Sequence, residues 1–142
     1  MTLIEFIVYF LAFFICIVVP YYVLKIIWGF LTSGHKKQKA LLEELIASGF
    51  HIDHRLNSNI IVVFDDNRRE VAFVASNELI RVAYGDVISW QWTWTEGNGV
   101  QFNNHLNFTI KNVRFPLIKI PFRSDSTSAE HWDAKVSAIL NR

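Results

Sequence analysis

The sequence predicts an N-terminal transmembrane α-helix followed by an α+β soluble domain, a seven-stranded antiparallel β-sandwich or barrel capped by a C-terminal α-helix. Three observations lead there. Uncharged apolar residues fill the front of the chain, short stretches of alternating apolar and polar residues follow at close spacing, and an amphipathic stretch ends it. At 142 residues the chain has room for one ordinary domain beside the span.

From Leu3 to Leu31 only Glu5 and Lys25 carry charge. As a helix this run would be roughly 43 Å long, against a hydrocarbon core of about 30 Å. The segment 1–32 is therefore read as one transmembrane helix. A cleavable signal would need a positive n-region, a shorter apolar core and a small-residue cleavage site, none of which is present. A helical hairpin needs about twice 20 residues, and a domain this small cannot cover so long an apolar cylinder on every side. Pro20 removes one backbone hydrogen bond, a defect that membrane helices tolerate, while Tyr21, Tyr22, Lys25 and Trp28 suit the interface at the C-terminal end. The span has no small-xxx-small pattern for helix pairing; Ala12 and Cys16 come nearest.

No Lys or Arg precedes the span, whereas His35, Lys36, Lys37 and Lys39 follow it. The positive-inside bias then predicts a single-pass protein of the inner cell membrane with its C-terminal domain in the cytoplasm. Cys16, the one cysteine, lies in the span and leaves no internal disulfide to form. The totals of 14 basic and 13 acidic residues each lose one to the span, so the domain is nearly neutral and a nucleic-acid partner is not expected.

Residues 33–49 read as a juxtamembrane amphipathic helix with Leu41, Leu42, Leu45 and Ile46 in one stripe and Gly49 as its stop. Its Lys36, Lys37 and Lys39 are candidate membrane-surface contacts, each worth about 1 kcal/mol beside anionic headgroups. Residues 50–142 form the β-rich domain. Ile60 to Asp65 and Glu70 to Ala75 flank the turn "DNRR", whose Arg68 and Arg69 are further membrane-surface candidates. Strands follow at Leu79 to Tyr84, at "VISWQWTWT", at "HLNFTIKN" and at "FPLIKIPF", with a weaker one at His51 to Leu56. Leu106, Phe108 and Ile110 share one face, and Ile118, Ile120 and Phe122 point inward. The closing helix, 127–141, carries Thr127 and Glu130 as a capping box and buries Trp132, Val136, Ile139 and Leu140.

The "IIVVFDDNRREVAFVA" hairpin, the "YGDVISWQW" approach and "SAEHWDAKVSAIL" together resemble the pleckstrin-homology-like superfold over residues 50 to 142. More narrowly, the order of elements is similar to small bacterial and phage proteins in which such a domain follows a membrane helix. The resemblance implies two nearly orthogonal sheets closed by the terminal helix, and a setting such as phage superinfection exclusion or immunity. Trp90, Trp92 and Trp94 share one face of a strand and either fill the core beside Trp132 or form a recognition surface. Pairing Trp94 with Phe102 and Trp90 with Leu106, or sliding two residues to pair Trp92 with Phe102, each leaves one Asn facing a Trp. The hairpin end therefore reads as projecting, and Trp92, Trp94, Asn98, Phe102 and Asn104 are its candidate partner-binding residues.

No phosphate loop, nucleophile elbow or HExxH pattern is present, so catalytic residues, a cofactor and enzymatic activity are not expected. "HIDH" at 51 to 54 would put His51 and Asp53 on one side and His54 on the other, which disfavours a three-ligand metal site. Phosphoinositide-binding members of the resembled family carry clustered Lys and Arg at the first hairpin loop, where this chain has only Arg55. The functional expectation is a membrane-tethered protein-interaction module that spans the bilayer and binds a membrane or membrane-proximal protein. The alternative is an anionic-lipid or small apolar ligand at Lys36 to Lys39, Arg68 and Arg69.

Overall fold

The computed structural model describes residues 2–141, side chains included except at Phe30 and Leu31. Met1 and Arg142, which bound the segments 1–32 and 50–142, lie outside the described residues. The chain divides into two compact units, one through Lys37 and one from Gln38 onward.

Helix α1 runs Leu3–Ala47. It begins on a reciprocal cap, in which Thr2 N donates to Glu5 Oε2 (2.8 Å) and Glu5 N donates to Thr2 Oγ1 (3.3 Å). Among the described residues α1 is the one helix long and apolar enough to cross a membrane, its best window reaching a mean hydropathy of 2.6. Where the sequence suggests two helices meeting near residue 32, the structure has one. Ser33 and Gly34 weaken a helix without breaking it, and the Thr32 hydroxyl donates back to Trp28 O (2.9 Å).

The second unit is α+β, with seven antiparallel strands among the described residues arranged as two sheets. The first sheet is the meander β1 (His54–Leu56), β2 (Ile61–Asp65), β3 (Glu70–Val74) and β4 (Leu79–Ala83). A short 3-10 turn, Tyr84–Asp86, leads into the second sheet, β5 (Val87–Gly97), β6 (Val100–Ile110) and β7 (Leu117–Arg123). Helix α2 (Ser126–Leu140) closes the domain against β5, β6 and β7. Its N-cap is Asp125, whose carboxylate accepts from Ser128 N at 2.9 Å, and not the expected Thr127. Both residues suit a cap, but the helix starts at Ser126, which puts Thr127 inside the first turn and leaves Asp125 at the cap position.

Between the sheets lies the main core, built on Val62, Phe64, Val71, Phe73, Leu106, Phe108, Ile110, Ile118 and Ile120, with Val136 and Ile139 supplied by α2. Phe73 and Phe108 meet edge to face, centroids 5.2 Å apart. A second cluster covers the opposite face of the first sheet. There Leu42, Leu45 and Phe50 pack on Val63, Ala72 and Val74, and Ile46 of the expected stripe is left exposed. The buried Gln38 amide fastens this segment by donating to Asn59 O (2.9 Å) and Val74 O (2.8 Å).

Candidate functional site

The β5–β6 hairpin turns on Asn98 and Gly99, both with positive φ (51° and 74°), so Gly97 pairs with Val100. This is the two-residue Asn-Gly turn whose twist matches antiparallel strands. It carries Thr95 opposite Phe102, after which β6 holds one extra residue and Thr93 faces His105. The bulge sits where Asn103 adopts φ 52°. Beyond it Trp92 faces Leu106 and Trp90 faces Phe108, so neither pairing drawn from the sequence alone is the one formed. The extra residue brings Leu106 and Phe108 opposite Trp92 and Trp90, and Trp94 falls at the register shift across from Asn103 and Asn104.

The three tryptophans divide along the strand. Trp90 is half-buried against the core and its indole N–H donates to Ser137 Oγ (2.9 Å). Trp92 is also half-buried and donates to Asn104 Oδ1 (2.9 Å). Trp94 lies 4.5 Å from Trp92 by ring centroid and is 44% exposed. Val100 (61% exposed) and Phe102 (39%) pair with Gly97 and Thr95 and so stand on the other face of the hairpin from Trp94, and all three lie outside both buried clusters. Phe102 lies across Gly97, where an added Cβ would come within 3.1 Å of its ring. Asn98 is exposed at the turn. Asn104, proposed from sequence as a surface contact, is instead fully buried. The bulge turns it inward, where it accepts from Trp92 and donates to Arg123 O (2.9 Å). Val100 is the tip residue that sequence reading missed, although its place beside the Asn-Gly turn marks it.

The membrane-surface candidates have local roles. Lys36 and Lys37 are exposed, and Lys39 pairs loosely with Glu43 (3.8 Å). Arg68 reaches toward Asp65 (4.0 Å) and across Gly49, while the Arg69 guanidinium lies 5.6 Å from the Tyr84 ring centroid. Both arginines belong to a turn held by carboxylates. Asp65, almost wholly buried, accepts from His51 N (2.9 Å) and Arg68 N (3.0 Å). Burial disfavours its charge, but those N–H groups, that of Asn67 and the nearby Arg68 guanidinium outweigh burial and hold its carboxyl below the ordinary range. Asp66 joins His54 (3.2 Å) to Tyr84 Oη (2.8 Å). Burial first, then the bond to Asp66, raise the Tyr84 phenol well above its usual value. In "HIDH", His51 pairs with Asp53 (3.0 Å) and His54 with Asp66, and among the described residues no three His, Cys, Asp or Glu side chains are grouped to hold a metal ion.

The outward face of the second sheet forms a separate concavity of about 390 Å³ lined by Ser89, Gln91, Thr93, His105, Asn107, Thr109, Leu117 and Lys119. Nothing in the sequence singled it out, because these ordinary polar residues come from three separate strands.

No family model matches the chain, and no solved structure matches it significantly. The chain is similar, at 25% identity over 131 residues, to the NAD(+) hydrolase TcpC of Escherichia coli O6:H1 strain CFT073. The match covers 91% of this chain and 41% of that protein, so the chain spans about two fifths of its relative's length. This similarity to a protein named as a hydrolase overturns the expectation that enzymatic activity is absent. The absence of short catalytic motifs excludes only chemistries that carry such a signature. Side chains assembled from distant positions, as His54, Asp66 and Tyr84 are here, leave no linear motif.

Proposed function

We propose that the chain is a membrane-tethered module whose β5–β6 hairpin binds a membrane or membrane-proximal protein. One observation carries this reading: the end of the hairpin exposes Trp94 on one face and Val100 and Phe102 on the other, beyond a base anchored by Trp90 and Trp92. Rigid aromatic groups of this kind dominate binding energy at protein interfaces. The apolar run in α1 supports the tether, and the Lys-rich segment after it favours a cytoplasmic domain. Confinement at the membrane raises the effective concentration of a modest patch near its target. The order of four strands, three strands and a helix favours the pleckstrin-homology-like reading of the domain.

Crosslinking in intact membranes tests the proposal. The wild-type chain is expected to trap a protein that Trp94→Ala loses at unchanged melting temperature, by at least tenfold if the truncation costs about 1.4 kcal/mol or more of binding. An unchanged crosslink, or one replaced by salt-sensitive binding to anionic vesicles, would overturn it.

The similarity to the NAD(+) hydrolase favours a second reading, in which this chain acts on NAD(+). The hydrogen-bonded His54, Asp66 and Tyr84 group is then its acid–base machinery. Purified full-length chain should consume NAD(+), and Asp66→Asn should abolish the loss. No consumption by the wild type would remove this reading.

A further inference from the structure

We infer that the outward face of β5, β6 and β7 is a binding site for a phosphorylated sugar, free or as the sugar phosphate of a nucleotide. The open face of an antiparallel sheet ordinarily carries exposed charged side chains. This one carries Ser89, Gln91, Thr93, His105, Asn107 and Thr109 around a hollow of about 390 Å³, with Lys119 as its cation and no carboxylate in its lining. Neutral hydrogen-bonding groups in a concave setting, in a pattern of donors beside acceptors, suit vicinal hydroxyls, each of which gives and receives a proton bond.

The bonding within the face leaves such groups available. Asn107 Nδ2 donates to Thr93 Oγ1 (2.8 Å), which leaves the Thr93 hydroxyl proton to be donated elsewhere. Asn107 lines the hollow, and its Oδ1 is, among the described residues, the one buried side-chain polar atom without a hydrogen-bond partner. An unsatisfied buried acceptor is costly, and a ligand hydroxyl that reaches it removes that cost. His105 Nδ1 sits 2.7 Å from Asn103 O, so its proton belongs there and Nε2 is an acceptor. Gln91, Ser89 and Lys119 are exposed donors at the rim. Lys119 meets no carboxylate in the lining, which lets it take a phosphate oxygen. Leu117 is the only large apolar side chain in the lining, which argues against an acyl chain or a flat aromatic ligand.

The site lies on the face of β5 opposite the tryptophans and shares no lining residue with the hairpin tip, so it stands whether or not the tip binds a protein. It also requires no hydrolysis. Full-length chain in detergent micelles, titrated with ribose 5-phosphate, ADP-ribose and inorganic phosphate while backbone amides of β5 to β7 are followed by NMR, tests it. Saturable shifts with ribose 5-phosphate, with ADP-ribose or with both are expected, and the stronger of the two identifies the source. Lys119→Ala and Gln91→Leu, both at exposed positions, should each weaken binding at least tenfold, whereas Trp94→Ala should leave it unchanged. The inference fails if neither sugar phosphate saturates by about 10 mM, a limit corresponding to very weak binding. It fails equally if phosphate alone binds as tightly as the sugar phosphates, or if the Lys119 and Gln91 variants bind like the wild type.

Discussion

The two sheets of the domain are built from strands of similar composition but solve opposite problems. In β2 and β3 the residues Val62 to Asp65 and Val71 to Val74 are all buried, because one face meets the main core and the other meets Leu42, Leu45 and Phe50. In β6 the pattern alternates, with Asn104, Leu106, Phe108 and Ile110 buried and His105, Asn107 and Thr109 partly open. Strands covered on both faces, as β2 and β3 are, have no surface left for contact and serve as scaffold. A sheet covered on one face keeps a polar hollow, and its long hairpin carries apolar side chains past the core. The difference assigns support to the first sheet and recognition to the second.

The sharpest way to break this comparison is to place the same charge on the outer face of each sheet. Ala72→Asp puts a carboxylate under Leu42, Leu45 and Phe50 with no partner for it, and should cost about 3–5 kcal/mol. Ser89→Asp, on the exposed face of β5, should stay within about 0.5 kcal/mol. Thermal unfolding followed by circular dichroism in micelles compares the two. Equal losses would mean that the fold depends on the outer face of the second sheet no less than on that of the first.

Much of this division can be read in the sequence. The runs "IVVF" and "VAFV" are continuous, as strands covered on both sides are, and "HLNFTI" alternates, as a strand covered on one side does. What covers the first sheet is less legible, since a long-range contact joins Leu42 and Leu45 to Val63 and Val74 through no local pattern. The hairpin shows the same limit. Asn98 and Gly99 announce a two-residue turn and fix Gly97 against Val100, but the bulge at Asn103 rests on a left-handed residue that is not glycine. Tertiary context selects such a residue, and with it the register of the tryptophans and the burial of Asn104. Of the candidate site, Trp94 and Phe102 are legible as aromatic residues on either side of the Asn98–Gly99 turn. The polar hollow is not, because Ser89 and Lys119 become neighbours only after three strands have paired.

A smaller effect sharpens the comparison at the point where the helical segment meets the first sheet. Gln38→Ala strands the carbonyls of Asn59 and Val74 without their donor, and should cost about 1–3 kcal/mol. Gln91→Ala removes the same chemical group from the exposed face of β5 and should be close to neutral. Native-state hydrogen exchange would locate the loss, with Val74 and its β2 partner Ile61 exchanging faster in the Gln38 variant. Uniform acceleration across both sheets would argue that Gln38 supports the whole domain and not one face.

The smallest effect appears only in acid. Asp65 is, among the described residues, the one buried charged side chain, and it lies in the first sheet. Its folded pKa is depressed, so the folded state binds a proton less readily than the unfolded chain does. Its contribution is complete above the ordinary carboxylate value of about 3.9 and is lost as pH falls through the lowered folded value. Asp65→Asn keeps the shape and removes the titration. At neutral pH the variant should be less stable than the wild type, since a neutral amide oxygen accepts the His51 and Arg68 N–H bonds more weakly than a carboxylate. Below about pH 4 the gap should narrow, because the wild type alone loses this contribution. Hydrogen exchange in the wild type over the same range should show β2 and β3 losing protection before β5 and β6. A gap that stays constant through this window would show that acid acts through other groups, and the first sheet would lose its claim to be the acid-sensitive half.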